Sequence, residues 1–146
     1  MAIIVVSHLA AAYSRGVSAS SVAGGWKTLA PLPDLVGFGG MYAGVLDGIL
    51  VAGGGTQWTA PLWLQGEKRF SDRIFTLRKL TESWRPHHSR LPRQSGHFAF
   101  ATSADAIYLA GGIDATACLR EVFSLRLRGD DLVFTRLPDL PKHVGY

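Results

Sequence analysis

Two short apolar segments, each running into paired glycines, constrain this chain more than any other feature. Val51-Ala52-Gly53-Gly54-Gly55 is one and Tyr108-Leu109-Ala110-Gly111-Gly112 is the other. Gly54 and Gly112 stand 58 residues apart. Self-similarity at a period of roughly 20–50 residues, or slightly more, marks a repeat protein whose units bury their apolar faces on one another. Any function must be read through that repeat.

Aligned on the glycines, the chain divides into two units of about residues 40–92 and 96–138. The first begins with a strand over Met41 to Leu46. Asp47-Gly48 follows, a hairpin dipeptide of the type whose two residues both tolerate positive φ. Ile49-Leu50-Val51-Ala52 is apolar throughout, which predicts a strand buried on both faces. Thr56 to Ser71 is expected as a long polar and aromatic loop. Asp72 to Leu77 alternates with period two and predicts a third strand. Trp84 to His87 is the fourth, and Leu91-Pro92 closes the unit.

The second unit repeats the order, with strands expected at His97–Thr102, Ala106–Ala110, Glu121–Arg126 and Leu132–Leu137. Trp26 to Pro33 resembles the closing element alone, an orphan outer strand. Trp26, Trp84 and Phe134 read as core. No helical periodicity competes past residue 26. Four antiparallel strands per unit, with glycines after the second, are the pattern of a kelch blade, and kelch blades pack radially into β-propellers. The fold class is therefore all-β: two four-stranded blades plus the orphan strand, an incomplete propeller over residues 24–146. The glycines would allow tight approach near the axis, where a Cβ would clash.

Composition narrows the function classes. At 47% hydrophobic and 18% charged residues, the chain can build a core. Fifteen basic and 11 acidic residues leave a mild +4. The arginines are scattered, with no dense basic run and no aromatic interleaving, so no nucleic-acid partner is expected. The single Cys118 excludes an internal disulfide framework and any CxxC site. His87-His88 lack a cysteine or acid at zinc spacing, so no metal is expected. No P-loop, GxSxG or GxGxxG followed by a helix occurs, and no cofactor is expected.

Residues 1–23 stand apart. Ala2 to Ala12 is mostly apolar, and Val17-Ser18-Ala19 and Ser21-Val22-Ala23 offer small residues for cleavage, but no Lys or Arg precedes the apolar stretch. Two readings stand: a signal peptide, placing the protein in the periplasm or outside the cell, or an extra strand or disordered terminus of a cytoplasmic protein. The apolar run is too short to span a membrane, which needs about 20 residues.

A narrower resemblance rests on Trp26…Leu32-Pro33, Val36-Gly37-Phe38-Gly39-Gly40, Tyr42-Ala43-Gly44-Val45, Leu50 to Gly54, Asp72 to Leu77 and Trp84…Leu91-Pro92. Gly111-Gly112-Ile113-Asp114 and Leu137-Pro138-Asp139-Leu140-Pro141 extend it. Over about residues 26–141 the chain resembles the cyclically permuted branch of the sialic acid mutarotases (N-acetylneuraminate epimerases), a kelch family. The resemblance implies interconversion of anomers of a sugar acid, with no cofactor. It assigns no catalytic residue, because the family's Asn-Gly-Glu-type motif is not found in this sequence. Loop residues Trp58, Trp63, Glu67, Arg69 and Asp114 are the substrate-binding candidates: aromatic faces suit sugar rings, and arginine suits carboxylates. The alternative is a non-catalytic kelch module that binds protein or glycan. A propeller needs about 4–8 blades, so further blades or self-association are expected to cover the open blade faces, with poor solubility for the chain alone.

Overall fold

The computed structural model describes residues 26–145. The expected signal-peptide region lies outside the described residues. Ten strands form: β1 (Tyr42–Leu46), β2 (Ile49–Gly53), β3 (Thr56–Trp58), β4 (Lys68–Phe70), β5 (Ile74–Leu77), β6 (Arg85–Pro86), β7 (Ala99–Thr102), β8 (Ile107–Ala110), β9 (Val122–Arg128) and β10 (Asp131–Leu137). The only helical element among the described residues is one 3-10 turn, Leu62–Leu64, and no helix there is long and apolar enough to cross a membrane.

The strands make two four-stranded antiparallel sheets, ordered β1-β2-β5-β6 and β7-β8-β9-β10, and a separate β3-β4 ribbon. The chain is thus all-β, built of two propeller blades that do not close a ring. Asp47 (φ 48°) and Gly48 (φ 77°) make the turn between β1 and β2 with positive φ at both residues, as the dipeptide predicted.

β2 is buried on both faces. Val51 packs with Tyr42, Leu46 and Ile74 on the face that meets the second blade, where Ile107, Leu109, Leu125 and Leu132 complete one cluster. Leu50 and Ala52 point the other way. They join Leu32, Phe75, Leu77 and Trp84 in a second cluster, against which Leu29, Ala30 and Phe38 pack. The period-two alternation of an extended strand sorts one apolar run into two interfaces.

Three expectations are corrected. Thr56–Ser71 is not an irregular loop, because β3 and β4 pair in it as a ribbon. Trp26 is not core: its side chain is 84% exposed. Residues 26–32 form no ladder, so the orphan segment lies on the first blade through Leu29, Ala30 and Leu32. Trp84 is buried as expected, on the face of the first blade that looks away from the second.

The blades also meet backbone to backbone. Gly55 N–H donates to Ser95 O (2.9 Å), just ahead of the second blade, and His97 N–H donates to Gly40 O (2.8 Å). Gly54, Gly55, Gly111 and Gly112 all take positive φ. This junction fixes the strand ends and the loops that rise from them, and those loops build the site.

Candidate functional site

Two chain segments enclose an open cleft of about 470 Å³. One wall is Pro33 to Val36, on the approach to β1. The other is Gln57, Trp58 and Thr59 of the β3 arm, with Arg69 on β4 and Arg73 just before β5. The β3-β4 ribbon carries Trp58 and Arg69 to this position. In register, Trp58 faces Lys68 and Gln57 faces Arg69.

Asp34 lines the cleft and gathers four hydrogen bonds. Its Oδ1 accepts N–H bonds from Val36 (3.0 Å) and Gly37 (3.1 Å) and one from Gln57 Nε2 (2.8 Å). Its Oδ2 accepts from Arg73 Nη1 at 2.9 Å. Burial opposes ionisation of this carboxyl, but the Gln57, backbone and Arg73 bonds outweigh it, and the pKa is held below the ordinary value. Arg73 is fixed from a second side, its guanidinium lying 4.9 Å from the Phe75 ring centroid and 5.7 Å from that of Phe38. Asp34 and Arg73 therefore neutralise and orient one another.

Arg69 differs. It is exposed, and its ion pair is a 3.5 Å contact with the equally exposed Glu67. Among the charged groups lining the cleft, Arg69 is the cation not committed to a buried carboxylate. Trp58 is 36% exposed, so part of its indole face is open to solvent.

The five sequence candidates thus separate. Trp58 and Arg69 come together at the cleft. Glu67 stands beside Arg69 without lining it. Trp63, 83% exposed, projects from the 3-10 turn at the ribbon tip. Asp114 lies on the second blade, where its carboxylate caps a turn through Thr116 N–H (2.7 Å), Thr116 Oγ1 (2.8 Å) and Ala117 N–H (2.9 Å). Those bonds, with Arg93 at 2.9 Å, hold its pKa far down.

Asp34, Gln57 and Arg73 were missed. The signal for them is positional. Asp34 follows Leu32-Pro33 and pairs with the residue before β5; Arg93 follows Leu91-Pro92 and pairs with Glu121, the residue before β9, at 3.1 Å. Each approach to a blade carries an ion pair at the same place, with reversed polarity. In the second blade Arg93 is held by both Asp114 and Glu121, and a short connection replaces the ribbon. His87 and His88 stack at 4.3 Å and contact Asp130 and Asp131 of the β9-β10 turn. His87 sits at the end of the blades that carries the Asp47-Gly48 turn, beside Leu46 and Ile49.

No family model matches the chain, and no curated protein sequence matches it. Solved structures do. One, a structure of YjhT, superposes with a TM-score of 0.65 at 16% identity, over 76% of this chain and 34% of that one. The chain therefore spans about a third of that protein's length. At this identity the likeness shows the fold, which agrees with the two blades described above.

Proposed function

We propose that this chain supplies the sugar-acid-binding rim of a kelch-type mutarotase that interconverts anomers of N-acetylneuraminate or a related acid. One observation carries the reading: a single cleft is lined both by Trp58, 36% exposed, and by Arg69, the one lining cation without a buried partner. An indole face takes the apolar side of a pyranose ring, and a guanidinium takes a carboxylate in two parallel hydrogen bonds. Gln57, pinned by Asp34, offers its remaining amide capacity to hydroxyl groups. The sequence resemblance to sialic acid mutarotases supports the substrate class, and the structural likeness to YjhT supports the blade fold that would carry it.

Anomer exchange passes through ring opening, which needs a proton donor and acceptor at the anomeric hydroxyl and ring oxygen. Asp34 is fully engaged by four hydrogen bonds and is held ionised, which suits a positioning role rather than proton transfer. The chain's share of the task is to hold the acid; the proton-transfer groups belong to blades beyond the two described. Exchange NMR on N-acetylneuraminate measures the α-to-β rate directly. A full ring that contains this cleft should accelerate it, and Arg69→Gln in that ring should slow it. No acceleration by the full ring would sink the proposal. A second reading, a non-catalytic interaction module, is favoured by Trp63 and Leu64, exposed at 83% and 66% at the ribbon tip. Binding of a partner that Trp63→Ala abolishes, without any exchange activity, would select it.

A further inference from the structure

We infer that Glu67 is an internal competitor for the carboxylate anchor, setting how strongly the cleft prefers acids over neutral sugars. The inference rests on the reading of the cleft as a carboxylate site. Glu67 and Arg69 lie two apart around β4 (Lys68–Phe70), with 3.5 Å between Oε2 and Nη2. Both side chains are largely in water, at 76% and 69% exposure. The other two arginines near the first glycine junction show the contrast. Arg73 meets a carboxylate with 14% side-chain exposure at 2.9 Å, and Arg93 meets Asp114 and Glu121, at 13% and 16%, at 2.9 and 3.1 Å. Those pairs are closed by burial, and a ligand cannot displace them without stranding a half-buried charge. The Glu67 pair can be displaced, since both partners return to water at little cost.

Glu67 therefore acts as a tethered anion occupying the Arg69 fork until an incoming carboxylate replaces it. An exposed pair of this kind is worth about 0.2–1 kcal/mol. Removing the competitor should then tighten a carboxylate ligand by about 1.4- to fivefold. A neutral sugar does not use the fork, so its affinity should not move. Glu67 thus lowers acid affinity and narrows the preference for acids, the opposite of a direct substrate ligand.

The test is a titration of the full chain with acetate, the minimal carboxylate, read by NMR at the side-chain amide cross-peak of Gln57, which lines the cleft and pairs with Arg69 across the ribbon. The same titration is then run with N-acetylneuraminate and with the neutral sugar N-acetylmannosamine. Glu67→Gln should lower the acetate and N-acetylneuraminate midpoints by about 1.4- to fivefold and leave N-acetylmannosamine unchanged. Unchanged or weakened acetate binding in Glu67→Gln overturns the competitor role. If acetate responds as expected while N-acetylneuraminate binds neither protein, the competitor stands and the sugar-acid reading fails. Arg69→Gln controls the anchor, and loss of the acetate response there is expected in every case. An acetate response that survives Arg69→Gln places the anion elsewhere and overturns the inference.

Discussion

Replacing Gly112 by alanine tests the claim that the glycines after the inner strands permit close backbone approach at the head of a blade. Gly112 has φ +94°, and a Cβ there would fall 2.7 Å from Gly96 O and 2.8 Å from Phe98 Cδ1. Gly96 O cannot retreat freely, because it accepts the Ile113 N–H at 2.9 Å within the same blade. Gly129 provides the comparison: φ is +62° in the β9-β10 turn, with nothing within 4 Å of its Cβ position. Positive φ costs a non-glycine residue about 1–2 kcal/mol, and both variants carry that cost. Gly112→Ala adds overpacking of about 1–3 kcal/mol. The expected losses are about 1–2 kcal/mol for Gly129→Ala and about 2–5 kcal/mol for Gly112→Ala. Against a typical total of about 5–15 kcal/mol, the second is large. Urea unfolding followed by tryptophan fluorescence measures both, with Trp84, 4% exposed, as the buried reporter. Equal losses in the two variants would refute the close-approach argument and leave only the turn chemistry of glycine.

Further predictions concern the buried polar groups. Tyr42 is wholly buried, and its hydroxyl has no hydrogen-bond partner among the described residues; burial pushes its pKa up. Tyr42→Phe should therefore be neutral or stabilising by about 1 kcal/mol, and a loss of that size on urea unfolding would show that the hydroxyl is satisfied. Asp34 and Asp114 both have lowered pKa values in the folded chain. Their stabilisation is present above the unfolded carboxyl value of about 3.9 and is lost as pH falls through the folded values. Stability should drop from about pH 5 downward, and Asp34→Asn should make that acid slope shallower; an unchanged slope would contradict the role given to Asp34.

The architecture was legible because its signals are local. Asp47-Gly48 writes its turn in two residues, and the β2 run writes its double burial in four. The ribbon was not legible: Thr56–Trp58 and Lys68–Phe70 are three residues each, separated by a 3-10 turn and without a tight-turn dipeptide. Three-residue strands carry too little period to be seen. Trp26 misled because an aromatic before Leu-Pro predicts core only where a neighbouring sheet covers it, and here its side chain meets solvent. In the cleft, the residue types that suit sugar acids pointed to Trp58 and Arg69. Asp34 and Arg73 were hidden because an ion pair across 39 residues leaves no mark on either neighbourhood. Only the parallel placement of Arg93 and Glu121 reveals it.

The central claim is that the Trp58–Arg69 cleft holds a sugar carboxylate. The most direct measurement is the indole N–H spectrum of ¹⁵N-labelled protein titrated with N-acetylneuraminate. The four tryptophans give four reporters. The account predicts that the Trp58 resonance shifts saturably, that Trp84, buried and not among the residues lining the cleft, does not, and that Arg69→Gln abolishes the shift. A titration that leaves Trp58 unmoved, or moves it equally in Arg69→Gln, would contradict the claim.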